Sequence, residues 1–486
     1  MTADLPLLQR GTAQPPAEQI AAHFAAAIQA GRLRVGERLP PIRTVAEATG
    51  VTRATAHAAY QRLRRQGLIE ATVGRGTIVR ASTERADRAS PLSGPAAAAL
   101  RRVQAPMPAL PEGSRCVANF APLAPDHALF PVAEFQSSLE RVLREHGAEL
   151  LAYGPAEGLP RLRELLCARS DPGTEVSEIL VTSGAQQGLD LVLRAVASPG
   201  DAVAVPVPTY HHLISLLRAQ SLQLLPVNQD ERGLDLQELQ RVLPRARLLY
   251  VMPTLHNPTG RTLDLAQREA LMQIVARTRV PVLEDEFQRD LRPGKPLPSL
   301  RSLDPRRLTI TARSFSKGLF PGVRIGWLCG SHELLAGVAT LKRLCDLETS
   351  SLLQAALADF VATGAVERYL VELRQELGRR HAAAQKALSA HMPPGAHWTQ
   401  PEGGFVFWLE LPARLDAQRF AELAASRGVL VTPGRLFDPL DRPQSAFRLS
   451  LARTDCAATE AGIRVLAACA RECLSGISPS PSPLFL

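Results

Sequence analysis

Metal-ligand spacing is absent from this sequence. Its seven cysteines (Cys116, Cys167, Cys329, Cys345, Cys456, Cys469 and Cys473) are odd in number and scattered. Only Cys469 and Cys473 stand one helical turn apart, and no histidine or cysteine pair accompanies them. That pattern argues against a zinc site and against a secreted disulfide framework, and predicts reduced cytoplasmic thiols packed in cores. Long apolar runs are also missing. None approaches the length of a membrane span, and Asp4 and Arg10 interrupt the N-terminus, so neither an anchor nor a signal peptide is expected. Lysine is missing from residues 1–80, which carry eleven arginines against five acidic residues. That stretch holds +6 of the chain's net +9. Such asymmetry suggests a polyanion partner, although a solvated basic face would look the same.

Hydrophobic residues, at 45% of 486 positions, are plentiful enough to exclude a mainly disordered chain and to predict two or more domains. Ile20, Phe24 and Ile28 repeat every four residues and predict a first helix over 16–31. Pro40 and Pro41 open a second short helix running to about Thr49. Gly50-Val51 makes a tight turn, and Thr52 is the expected N-cap of a third helix through about Gln66. Arg53, His57 and Arg64 recur along one face of that helix, with Val51, Ala58 and Leu63 expected inward. A glycine-tipped hairpin follows, Leu68 to Val73 and Thr77 to Arg80. This is the plan of a winged helix-turn-helix. The domain is assigned to residues 1–81.

Sustained apolar period is lacking from Ala81 to Arg115, so residues 82–116 read as a flexible Pro/Ala/Arg-rich linker, with a short helix allowed across Ala96 to Val103. As a coil it would span ~30–35 Å, and as a stiffer proline-rich path up to ~100 Å. Residues 117–476 alternate apolar strands with helical segments, the pattern of a mostly parallel sheet flanked by helices with a smaller C-terminal α/β part. Residues 477–486 read as a disordered tail.

Ligand groups in such sheets gather at the carboxyl ends of strands. There the sequence places Ser183-Gly184-Ala185-Gln186, opening a helix whose free amides suit a phosphate. It also places Tyr210, His256-Asn257 and Glu284-Asp285-Glu286. The stretch Ser314 to Trp327 is the most informative. Lys317 follows a β-branched run and is walled by Phe315, Leu319 and Phe320. Desolvation lowers an ammonium pKa, and the neutral amine is the form that condenses with an aldehyde. Ser314, Ser316 and Arg324 are suited to holding a phosphate beside it.

The words R-L-P-P-I-R, V-T-R-A-T and G-R-G-T-I-V over residues 16–80 resemble the GntR family of bacterial transcription factors. The frame S-x-S-K-x-x-x-P-G-x-R-x-G around Lys317 resembles the lysine signature of fold-type I pyridoxal-phosphate (PLP) enzymes. Joined on one chain, the two resemble the MocR subfamily of regulators.

In the DNA-binding part, Arg53 is suited to bond a guanine bidentately. Thr55 and Arg43 suit phosphates, and Arg75 at the hairpin tip suits the minor groove. His57 stands where the family usually has a second arginine. In the body, the resemblance implies Lys317 as the catalytic lysine, Asp285 on the pyridine nitrogen and Asn257 on the phenolic oxygen. It implies Tyr210 on the ring face, and Gly184, Ala185, Gln186, Ser314, Ser316 and Arg324 on the phosphate. Tyr153 would reach a neighbouring subunit's phosphate, and Arg448 would grip an effector's carboxylate.

The family also usually has a tyrosine two or three places after the aspartate, bonding the phenolic oxygen. Here Phe287 and Gln288 fill those places, with Tyr250 as an available substitute. The expectation is a cytoplasmic homodimer on double-stranded operator DNA, sensing PLP or an amino compound through a Lys317 aldimine. The rival is a working aminotransferase carrying a DNA-binding domain.

Overall fold

The computed structural model describes residues 15–29, 33, 37–65, 68–72, 76–79, 109–111 and 113–475. Residues 82–108 and 112 of the expected linker, the whole of the expected tail and Arg75 lie outside the described residues. The chain splits into two compact units, Met1–Ala97 and Ala98–Leu486.

The first unit holds α1 (Pro16–Gln29), α2 (Ile42–Thr49), α3 (Arg53–Arg65) and the antiparallel pair β1 (Ile69–Thr72) and β2 (Gly76–Val79). Helix α1 buries Ile20 and Phe24 and packs Ile28 beside them, as its four-residue repeat requires. Helix α2 ends where Gly50 adopts a left-handed φ of 66°, a conformation glycine takes without steric cost. Thr52 caps α3, accepting the Thr55 amide at 3.2 Å.

The inward face of α3 differs from expectation. Leu63 is buried and Val51 packs partly, but Ala58 is exposed. Steps of three, four and seven back from Leu63 reach Tyr60, Ala59 and Ala56, and these form the core. The hairpin gains a third edge that the sequence did not announce. Arg38 bridges Ile78, with the Leu39 amide donating to Thr77 at 2.9 Å and the Val79 amide to Glu37 at 2.8 Å.

In the second unit, β3 (Ala118–Asn119) precedes the main sheet. That sheet comprises β4 (Ile179–Thr182), β5 (Ala202–Val207), β6 (Gln223–Asp230), β7 (Gly233–Leu234), β8 (Leu248–Val251), β9 (Val282–Asp285), β10 (Thr309–Ser314) and β11 (Gly326–Cys329). Its order is β4-β11-β10-β9-β8-β5-β6-β7. The run from β10 to β6 is parallel, whereas β11 lies antiparallel to both β10 and β4. Strands β4, β8, β9, β10 and β11 are buried along their whole length, polar positions included, as in a sheet covered on both faces.

The smaller part holds β12 (His397–Trp398), β13 (Val406–Glu410), β14 (Val429–Leu430), β15 (Thr432–Pro433) and β16 (Ala446–Ser450). Four of them form an antiparallel sheet, β12-β13-β16-β15, while β14 pairs with β3. Its core is built on Phe407, Phe420, Phe447 and Ile463. No described helix is long and apolar enough to cross a membrane.

Candidate functional site

Strand ends converge on one cavity of about 370 Å³. Its walls include Ala185, Gln186, Tyr210, Asn257, Asp285, Ser314, Ser316, Lys317, Arg324 and Arg448, ten positions singled out in the sequence. Gly184 adjoins them as the N-cap of the helix Ala185–Val196. Tyr153 does not line this cavity; it is 83% exposed. Ala121, Leu123, Ala124, Leu189 and His212 line it without having been foreseen, and His211 and Phe287 complete the wall. The first three belong to the loop after β3, which carries no motif and reaches the site only through tertiary folding.

Lys317 lies three residues beyond the end of β10. Strand β10 runs straight into a short helix, Phe315–Gly318, capped by the Ser314 hydroxyl, which accepts the Ser316 amide at 3.1 Å. Phe315, Leu319 and Phe320 are buried around it. Its ammonium donates to the Leu123 carbonyl. Burial, then the Arg448 and Arg324 charges, bring its pKa down to about 8. The amine is therefore appreciably neutral near physiological pH.

At one end of the cavity, Gly184 has φ 91° and ψ 163°, backbone open essentially to glycine alone. A Cβ there would stand 2.8 Å from an Arg324 guanidinium nitrogen. Arg324 Nη2 donates to the Ser183 carbonyl at 3.0 Å, and Ser314 Oγ meets Ser316 Oγ at 2.9 Å. Arg324, two hydroxyls and the first-turn amides of the helix thus share one corner. Gly184→Ala is expected to cost ~1–3 kcal/mol of apoprotein stability in urea denaturation and to push the guanidinium aside.

At the opposite wall the buried polar atoms are incompletely paired. Asp285 Oδ2 accepts the Tyr250 hydroxyl at 2.8 Å, while Oδ1 has no partner. Burial brings this carboxyl up to about 7, against the Tyr250 hydrogen bond. Asn257 Oδ1 accepts from Arg448 Nη1 at 3.2 Å, and Nδ2 has none. Arg448 also donates to the Ala121 carbonyl at 2.6 Å and Thr432 at 3.2 Å, leaving Nε unpaired. Phe437 lies under its guanidinium at 5.2 Å. Arg448 is buried with no carboxylate among the described residues paired to it, and that burial lowers its pKa to about 10. A desolvated cation facing a cavity is suited to an anionic ligand.

Tyr210 donates to Gln186 Oε1 at 3.1 Å, and burial raises its pKa. Tyr250 is not an available substitute for the missing tyrosine. Its phenol stands behind Asp285 outside the cavity wall, at the aspartate end. Gln288 is committed elsewhere, donating to Leu255 at 3.3 Å and accepting the Phe405 amide at 3.0 Å. Phe287 presents an apolar ring to the cavity.

The family profile described as aminotransferase class I and II matches residues 122–466. The chain belongs to that family. A second profile, bacterial regulatory proteins of the gntR family, matches residues 16–79, and the pairing places the chain in the MocR subfamily. The 2-aminoadipate transaminase of Thermus thermophilus is 34% identical over 72% of this chain and 89% of its own length. The uncharacterized HTH-type transcriptional regulator YdcR of Escherichia coli is 31% identical over 90% of this chain and 94% of its own. The crystal structure of LysN, an α-aminoadipate aminotransferase of Thermus thermophilus complexed with N-(5'-phosphopyridoxyl)-L-leucine, matches with a TM-score of 0.71. It is 30% identical to this chain, covering 81% of it and 98% of LysN.

The family's cofactor, pyridoxal 5'-phosphate, fits this aminotransferase body. The unpaired Asp285 and Asn257 atoms, the Arg324 corner and the neutral-prone Lys317 form a donor set of the right chemistry.

Proposed function

We propose that this chain is a cytoplasmic transcription regulator, acting as a homodimer. It grips duplex operator DNA with its N-terminal unit and uses PLP in its body to sense PLP itself or an amino compound. One observation carries the reading: a single chain holds both a capped helix exposing Arg53, His57 and Arg64 and a polar cavity around Lys317.

In the body, Lys317 supplies the amine, Asp285 Oδ1 the acceptor for the ring nitrogen and Asn257 Nδ2 the donor to the phenolic oxygen. Tyr210 lies on the ring face. The phosphate rests on Gly184, Ala185, Gln186, Ser314, Ser316 and Arg324. Tyr153, exposed and outside its own chain's cavity, serves the neighbouring subunit's phosphate. When bound, the cofactor supplies an electrophilic aldehyde and an electron-withdrawing ring. Arg448 holds the effector's carboxylate. A ligand can shift the protein between DNA-binding states only through differential affinity for them.

On the DNA side, Arg53 reads a base edge, with His57 one turn further along the same exposed face. Arg43 and Thr55 hold phosphates and Arg75 enters the minor groove. Arg43 is paired with Glu47 at 2.7 Å and Thr55 with the Thr52 hydroxyl at 2.9 Å, exposed partnerships that yield readily to a phosphate. Arg53→Ala is expected to weaken specific operator binding by ~1–3 kcal/mol; an equal loss on random duplex would make Arg53 a phosphate contact. Footprinting the adjacent promoter with and without PLP, then with candidate amines, tests the whole reading. Absence of protection overturns the DNA half, and protection indifferent to every ligand overturns the sensor half.

A second reading, a working aminotransferase, is favoured by the gathering of Asp285, Lys317, Arg324 and Arg448 around one cavity. Steady multiple turnover with amino donors and keto acceptors would establish it. A single half-reaction would favour the sensor.

A further inference from the structure

We propose that Tyr250 is a positioning residue for the cofactor's ring nitrogen: its hydroxyl holds one oxygen of Asp285 so that the other faces the cavity as an ionised acceptor. The inference rests on the assignment of this cavity to PLP, and it concerns a residue that never touches the ligand.

Strand topology creates the arrangement. Strands β8 and β9 are parallel neighbours with Tyr250 opposite Leu283. Asp285 lies two residues beyond Leu283, and side chains alternate along a strand, so Leu283 and Asp285 share a face. Tyr250 is fully buried and Asp285 is 3% exposed. The phenol reaches Oδ2 at 2.8 Å, and Oδ1 is left without a protein partner beside the cavity.

A carboxyl group is otherwise free to rotate about its last torsion. A donor fixed on one oxygen removes that freedom and aims the second. With the Phe287 backbone amide and the Lys317 charge as smaller contributors, it also stabilises the charged form in a place where burial, and Glu286 next in sequence, disfavour it. Without the phenol the balance at Asp285 would move further toward the neutral form, and a neutral carboxyl is a poor partner for a protonated ring.

If Tyr250 were only a core residue, its hydroxyl would matter to stability alone. A double-mutant cycle in PLP affinity separates the two cases. By spectroscopic titration of the full chain, Tyr250→Phe is expected to weaken PLP binding at least about tenfold, the scale of a hydrogen bond to a charged group. Asp285→Asn should weaken it further. In the Asp285→Asn background, Tyr250→Phe should change affinity less than about twofold, because the charge through which it acts is gone.

Equal losses in both backgrounds, or no loss in the first, would overturn the proposal. Unchanged affinity in Asp285→Asn alone would overturn the assignment of the aspartate as well, and is readily told apart. A carbocyclic analogue of PLP, with C–H in place of the ring nitrogen, provides an independent arm. It should bind wild type and Tyr250→Phe alike, and a Tyr250→Phe loss as large as that for PLP would count against the idea. That arm compares the two ligands on each protein, so a general change in the fold's stability, which would weaken both alike, does not mimic it.

Discussion

Lys317→Ala protein, incubated with PLP and then borohydride, is expected to retain no covalent cofactor and no shifted absorbance, while wild type retains about one equivalent. Among the described residues, Lys317 is the only lysine lining the cavity, and its amine is held by the Leu123 carbonyl. Three cationic groups compete in this corner, and the arginines cannot lose their protons in the working range, so the lysine is the one that yields. With its pKa brought down to about 8 by burial and by Arg448 and Arg324, about a tenth of the amine is neutral at pH 7 and most of it at pH 9.

The rate of adduct formation in wild type should therefore rise about tenfold from pH 7 to pH 9 and then level off. The sign follows from depression of the folded-state pKa: protonation persists below it and is lost above it. A covalent adduct surviving in Lys317→Ala would move the attachment elsewhere. A flat pH profile would show that deprotonation of this amine does not limit attachment.

Much of this site is legible in the chain because each part is local. A strand ends, a glycine or serine turns the backbone, and the next residues point at one edge of the sheet. Ile179–Thr182 into Ser183-Gly184-Ala185 is such a unit, and Ser314-x-Ser316-Lys317 is another. Pairings between distant segments are not local, and these the sequence could not supply. Tyr250 is separated from Asp285 by 35 positions, and only the order β8-β9 brings them together. Gln288 occupies a place where the family pattern expects an active group, yet it braces Leu255 and Phe405. Nothing local announces that strand β11 runs antiparallel between β10 and β4. In the N-terminal unit, Ala58 is too small for period alone to distinguish its face from that of Ala56 or Ala59.

Arg448 is where one substitution should change selectivity most. Its guanidinium is buried, three acceptors hold two of its nitrogens, and among the described residues no carboxylate pairs with it. An exposed arginine would have water to solvate it; this one has the cavity. Arg448→Met in the PLP-loaded protein is expected to weaken binding of α-amino acids by 2–5 kcal/mol, about thirty- to several-thousandfold, the cost of removing one partner of a buried charge pair. Simple alkylamines without a carboxylate should lose little, since nothing in their recognition needs a fork of donors.

Arg448→Lys should fall between, because a lysine restores charge without bidentate geometry. Titration of the bound chromophore's absorbance with alanine and with propylamine reads both arms on one sample. Parallel losses for the two ligands would mean that Arg448 shapes the cavity through Asn257 and Thr432 rather than by gripping a carboxylate. Melting temperature adds a separate check. Removing an unneutralised buried charge need not destabilise the apoprotein, so a large selective loss of amino-acid binding in a protein that melts like wild type would isolate the electrostatic role.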